Sequence, residues 1–143
     1  MPTLGRGPPD EEAAAVQEAP RPVCVLLVPL VRDSDRQPHA PILWRLLQDA
    51  LLRLFGGFTG PETVLYYRHR ETARGLWSPA EGEMPVEDLS RKYVVAVPEE
   101  RSEDLRALVR RIGNSFDQRA MYLEVAGYAE LLAVRPEDGF LEV

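Results

Sequence analysis

A buried-looking strand followed by an amphipathic helix occurs twice in this chain, and each helix is followed by further β-like sequence. The first unit runs from Val23-Cys24-Val25-Leu26-Leu27-Val28 into a helical stretch from Ile42 to Phe55. The second runs from Tyr93-Val94-Val95-Ala96-Val97 into Leu105 to Phe116. An amphipathic helix buries one stripe and a sheet at least one face, so two such units close a core by layering helices on a sheet. The sequence therefore predicts an α+β protein: a ferredoxin-like βαββαβ sandwich, antiparallel, with two helices on one face and an extra strand near the C-terminus. That architecture carries enzymes, sensors, nucleic-acid binders and dimer modules alike, so it names no function.

With 143 residues the chain suffices for one domain with a real core. Residues 1 to 22 read as a disordered tail, interrupted by Pro2, Pro8, Pro9, Pro20 and Pro22, and residues 23 to 143 as a single α+β domain. The formal net charge of -6 argues against nucleic acid or an anionic membrane as a dedicated partner. The single cysteine, Cys24, has no partner for an internal disulfide and lies in an apolar run, where it serves as a small hydrophobe. The longest apolar run, Val23 to Val31, is far below the ~20 residues that span a bilayer. It also follows acids where a signal peptide needs a basic stretch. The expected location is the cytoplasm.

Val23 to Val28 is apolar at every position, which predicts a central strand covered on both sides and ended by Pro29. Arg32 to Pro41 reads as a polar loop. Pro41 suits a first helical turn, and Gly56-Gly57 ends the helix. The apolar arc of this helix is wider than one sheet face needs, and its surplus predicts a second contact surface, for the chain's own tail or, in preference, for another subunit and hence a homodimer. Thr63 to Tyr67 reads as a strand, Ser78 to Asp88 as a long exposed loop, and Arg91 to Val97 as the next strand. Ser102 is placed to cap the second helix, whose core face is Leu105, Leu108, Val109, Ile112 and Phe116, with Arg106, Arg110 and Arg111 on the solvent side. Met121 to Val125 and Tyr128 to Val134 read as the last strands, joined by a weak turn signal at Ala126-Gly127.

One basic-aromatic cluster stands out: Tyr66, Tyr67, Arg68, His69, Arg70, Arg74 and Trp77. Guanidinium forks grip phosphates or carboxylates bidentately, and aromatic faces stack bases. The bland alternative is a solvated hairpin whose arginines pair with nearby acids. Asp33, Asp35 and His39 have the best metal-like spacing, yet turn formation explains them adequately. No phosphate-cradling glycine loop, nucleophile elbow or cofactor motif is present in the sequence.

Phe55-Gly56-Gly57-Phe58-Thr59, Gly75-Leu76-Trp77, Asp88-Leu89-Ser90-Arg91 and Phe116-Asp117-Gln118-Arg119-Ala120-Met121 together resemble a family of small bacterial proteins without an assigned activity. The resemblance covers about half the chain. It departs at Asp117, Arg119 and Ala120, where the family pattern has Gly, Glu and Ser. It implies structurally related positions at Trp77, Ser90 and Gln118.

Function thus stays open among three readings. The first is a binding or accessory module, dimeric, that takes an anionic ligand near Tyr66, Arg68, His69, Arg70, Arg74 and Trp77. The second is a small-molecule enzyme using a dimeric α+β cavity, with His69 or Tyr66 as acid or base. The third is a nucleic-acid binder working through the same cluster. No metal and no cofactor is expected.

Overall fold

The structure is a computed structural model that describes residues 20–68 and 86–142. Five strands and two helices make up the fold: β1 (Val23–Pro29), α1 (Pro41–Phe55), β2 (Thr59–Arg68), β3 (Val86–Ala96), α2 (Ser102–Ser115), β4 (Ala120–Val125) and β5 (Tyr128–Ala133). They form one sheet of order β2-β3-β1-β4-β5, with every neighbouring pair antiparallel. The fold is α+β, and the C-terminal strand is present. Among the described residues no helix is long and apolar enough to cross a membrane.

β1 is the middle strand, as its apolar sequence demands. Its period of two sends Cys24, Leu26 and Val28 into the core. The opposite positions, Val25 and Leu27, are only half-buried, so the expectation of full cover on both sides holds for one face alone. The covered face packs against both helices. Leu47, Ala50, Leu51 and Phe55 of α1 and Leu105, Leu108, Val109 and Ile112 of α2 join Tyr93, Val95, Met121 and Leu123 in a single core cluster.

Local chemistry sets the ends of the elements. Ala40 is extended (φ -60°, ψ 135°), the conformation a residue before proline prefers, and Pro41 opens α1. α2 begins differently from expectation. A turn of 3₁₀ helix, Glu99–Arg101, feeds directly into Ser102, which makes no side-chain cap hydrogen bond. The β4–β5 hairpin turns through Ala126 (φ 50°) and Gly127 (φ 87°), a pair of left-handed residues matching the twist of the strands. The sequence signal is weak because alanine at the first position is strained where asparagine would not be.

Arg106 does not lie on the solvent side of α2. Its guanidinium grips Glu130 of β5 with both arms, at 2.8 and 2.7 Å, and Glu103 at 2.6 Å. It thereby ties the edge strand to the helix, and it holds the Glu130 carboxyl below the usual carboxylate range.

At Gly113, α2 lies close against β4 and the residue that follows β5. A Cβ there would sit 2.6 Å from both Met121 Cγ and Val134 Cγ2. Gly113→Ala gains about 1 kcal/mol in helix propensity but overpacks the core at a cost of about 1–3 kcal/mol. A net loss near 1 kcal/mol is expected, measured as a lower urea midpoint at unchanged slope.

Candidate functional site

The site lies on the sheet face away from the helices, and register explains how it forms. Tyr66 of β2 is opposite Asp88 of β3, and Val64 is opposite Ser90. Ser90 is in turn opposite Pro29 of β1, and Leu27 is opposite Tyr122 of β4. Directly opposed residues share a face, so all of these side chains project to the same side. The rings of Tyr66 and Tyr122 meet with centroids 5.4 Å apart, tilted by 54°. Their strands are separated by β3 and β1, a span of about 14 Å at the usual strand spacing. Each ring therefore leans towards the other, and together they border a shallow, open hollow with a cavity volume of about 40 Å3, with Leu27, Pro29, Asp88 and Ser90 in its lining.

β3 is inverted in polarity here. Asp88 is 5% exposed and Ser90 1%, whereas Leu89 between them is 47% exposed. Buried carboxylates and hydroxyls carry a desolvation cost that apolar residues would avoid. The Ser90 hydroxyl lies 3.5 Å from the Asp88 carbonyl oxygen, and Arg36 Nη2 lies 3.8 Å from Asp88 Oδ1. Sequence reading places Asp88 in an exposed loop. In fact β3 begins at Val86, and Asp88 is one of its residues buried on the face away from the helices. A strand with its polar residues buried and the apolar one between them exposed defeats hydrophobic patterning.

The rim is made by two segments zipped together, the 30–40 loop and the 116–119 turn. The Asp33 N–H donates to Asp117 O at 2.9 Å, and the Arg119 N–H donates back to Asp33 Oδ2 at 2.8 Å. Ser34 donates its N–H (2.9 Å) and its hydroxyl to Asp117 Oδ2. These bonds hold the Asp117 carboxyl below its ordinary range. Gln118, buried, donates through Nε2 to Val31 O and Phe116 O, at 2.8 and 2.9 Å. Asp117 occupies the left-handed region (φ 53°), which aspartate tolerates and glycine takes freely. Asp33, Gln118 and Arg119 line the hollow from this rim.

Of the residues expected to bind a ligand, Tyr66 lies in the site and Arg68 ends β2. His69, Arg70, Arg74 and Trp77 lie outside the described residues. The metal-like trio disperses. Asp33 accepts from Arg119, Asp35 Oδ1 accepts from the Gln37 N–H at 3.0 Å, and His39 is buried beneath the loop. Among the described residues no three His, Cys, Asp or Glu side chains converge to hold a metal. Cys24 is fully buried, and desolvation pushes its thiol up, away from reactivity. Burial and the neighbouring Glu124 push the Tyr122 phenol up, so it stays a protonated donor at neutral pH.

No family model matches the chain, and no curated protein does either. A solved structure does: a phage SAM lyase in complex with S-methyl-5'-thioadenosine. It is 13% identical with a TM-score of 0.50, over 83% of this chain and 92% of that one. At that identity the likeness concerns the fold.

Proposed function

We propose that this protein is a small-molecule-binding domain of ferredoxin-like topology, carrying β5 as an added edge strand, and that its ligand occupies the hollow above Asp88 and Ser90. The inverted polarity of β3 carries this reading. Two polar side chains gathered beside two tyrosines at a hollow on one sheet face support a ligand that uses them. Asp88 and Ser90 supply acceptors, Tyr122 a donor, and Tyr66 and Tyr122 aromatic surface. That set suits a planar heteroaromatic ring bearing hydroxyl or amino groups, the nucleoside class. The phage lyase of similar fold holds such a molecule, a thioadenosine. A Tyr122 phenol held protonated suits binding better than general-base catalysis.

The test is titration calorimetry with S-methyl-5'-thioadenosine and adenosine, on the full chain and on Asp88→Asn. The wild type is expected to bind at least one of them. Asp88→Asn should lose at least about tenfold in affinity, the worth of one hydrogen bond to a charged group, while its melting curve stays cooperative. Absence of binding by both nucleosides at millimolar concentration would refute the ligand class. Equal affinity of Asp88→Asn would refute the site. An anionic group on the ligand would fall to Arg68, His69, Arg70, Arg74 and Trp77, which a comparison of adenosine monophosphate with adenosine reads. For the half-exposed Ile42 and Leu52 of α1 we propose a homodimer contact, which native mass spectrometry reads.

A further inference from the structure

His39 is an anomaly of the 30–40 loop. It is 7% exposed, wedged between Phe116 (ring centroids 4.7 Å apart) and Trp44 (5.7 Å). Its Nε2 lies 2.8 Å from the Pro29 carbonyl oxygen, which can only accept, so Nε2 carries the proton. Nδ1 is then a bare lone pair, buried and without a hydrogen-bond partner. A neutral imidazole fits this box. An imidazolium does not, because its second N–H would find no acceptor and its charge would be cut off from water.

We propose that the 30–40 loop is a proton-sensitive clasp, closed while His39 is neutral and released when Nδ1 takes a proton from solvent. The charged groups around His39 do not rescue the cation. Arg32 on the loop opposes it. Asp33 and Asp117 favour it, but Asp33 is engaged by the Arg119 N–H and Asp117 by Ser34 and Arg32. Arg91 of β3 already covers a face of Trp44 on α1, at 4.1 Å. Desolvation therefore outweighs attraction and holds the imidazole below its ordinary range.

The sign follows from linkage. The released loop binds a proton at the ordinary histidine value of about 6.5, and the closed loop only at a lower one. Closure is fully stabilised above about pH 6.5 and weakens as pH falls below it, until the closed form also protonates. The loop carries Asp33, which lines the hollow, and Arg36, which faces Asp88. Release thus dismantles one wall of the site, a consequence that rests on the site reading above. The clasp itself does not.

Amide hydrogen exchange on the full chain without ligand tests it. Protection of the Asp33, Ser34 and Arg119 amides, corrected for the intrinsic pH dependence of exchange, should fall by up to about 30-fold from pH 7.5 to 5.0. His39→Phe, which keeps the aromatic packing and cannot titrate, should show no such fall. If that variant does not fold, His39→Gln serves, since its amide can still donate to Pro29 O. A flat profile in the wild type, or the same fall in the non-titrating variant, overturns the proposal. A pH-dependent clasp together with pH-independent affinity for S-methyl-5'-thioadenosine would overturn its coupling to the site only.

Discussion

Leu108→Asp is expected to abolish cooperative folding. Leu108 is fully buried at the centre of the inward face of α2, beside Leu105, Val109 and Ile112. Truncating a leucine in such a place removes about 2–5 kcal/mol, and the new carboxylate adds several more because it is buried without a partner. The sum reaches the whole stability of an ordinary domain, about 5–15 kcal/mol. Circular dichroism would show no sigmoidal melt, and near-ultraviolet signals from the packed aromatics would vanish. Ala107→Asp is the control. It sits one position along on the exposed side of the same helix and should change stability by no more than about 0.5 kcal/mol. A sharp melt of Leu108→Asp would mean that α2 presents a different face to the sheet.

That prediction rests on a face legible in the sequence alone, and the reason is physical. α1 and α2 bury single stripes at a period near 3.6, so spacing reveals which residues point inward. Pro41 and Gly56 likewise declare the limits of α1, since one cannot donate within a helix and the other adopts φ 85° at its end. β1 announces itself as the middle strand by apolar residues at consecutive positions. The site obeys none of these rules. Asp88 and Ser90 are buried although both are polar, and an acidic stretch following Pro85 reads as loop. Tyr66 and Tyr122 meet across two intervening strands, a contact set by sheet order and invisible to local pattern. His39 belongs to a stretch polar enough to be solvated, and only Trp44 and Phe116 closing over it make it a core residue. Ser90 and Gln118 are likewise buried polar residues at the hollow, where hydrophobic patterning expects exposed ones.

Phe116→Ala is expected to cost about 3–5 kcal/mol, and to act on the loop as well as on the core. Phe116 is fully buried, just after α2, and its ring meets His39 at 4.7 Å and Trp44 at 4.8 Å. Removing the ring leaves a void bounded by an imidazole and an indole, neither of which can collapse freely. His39 is held by Pro29 O, and Trp44 is fixed by α1 and by Arg91 stacked on it. At about 3–5 °C per kcal/mol for a domain of this size, the melting temperature should drop by roughly 10–20 °C. The change also reaches His39 directly. Burial is the main cause of its lowered pKa, so opening one wall to water should move the imidazole back towards the ordinary histidine range. The variant should therefore be less stable at pH 7.5 but lose a smaller further amount on acidification to pH 5.0 than the wild type does. Urea titrations at the two pH values measure both effects. A loss under 1 kcal/mol at pH 7.5 would show that the loop collapses onto the void. An unchanged acid dependence would show that Phe116 is not what keeps His39 neutral.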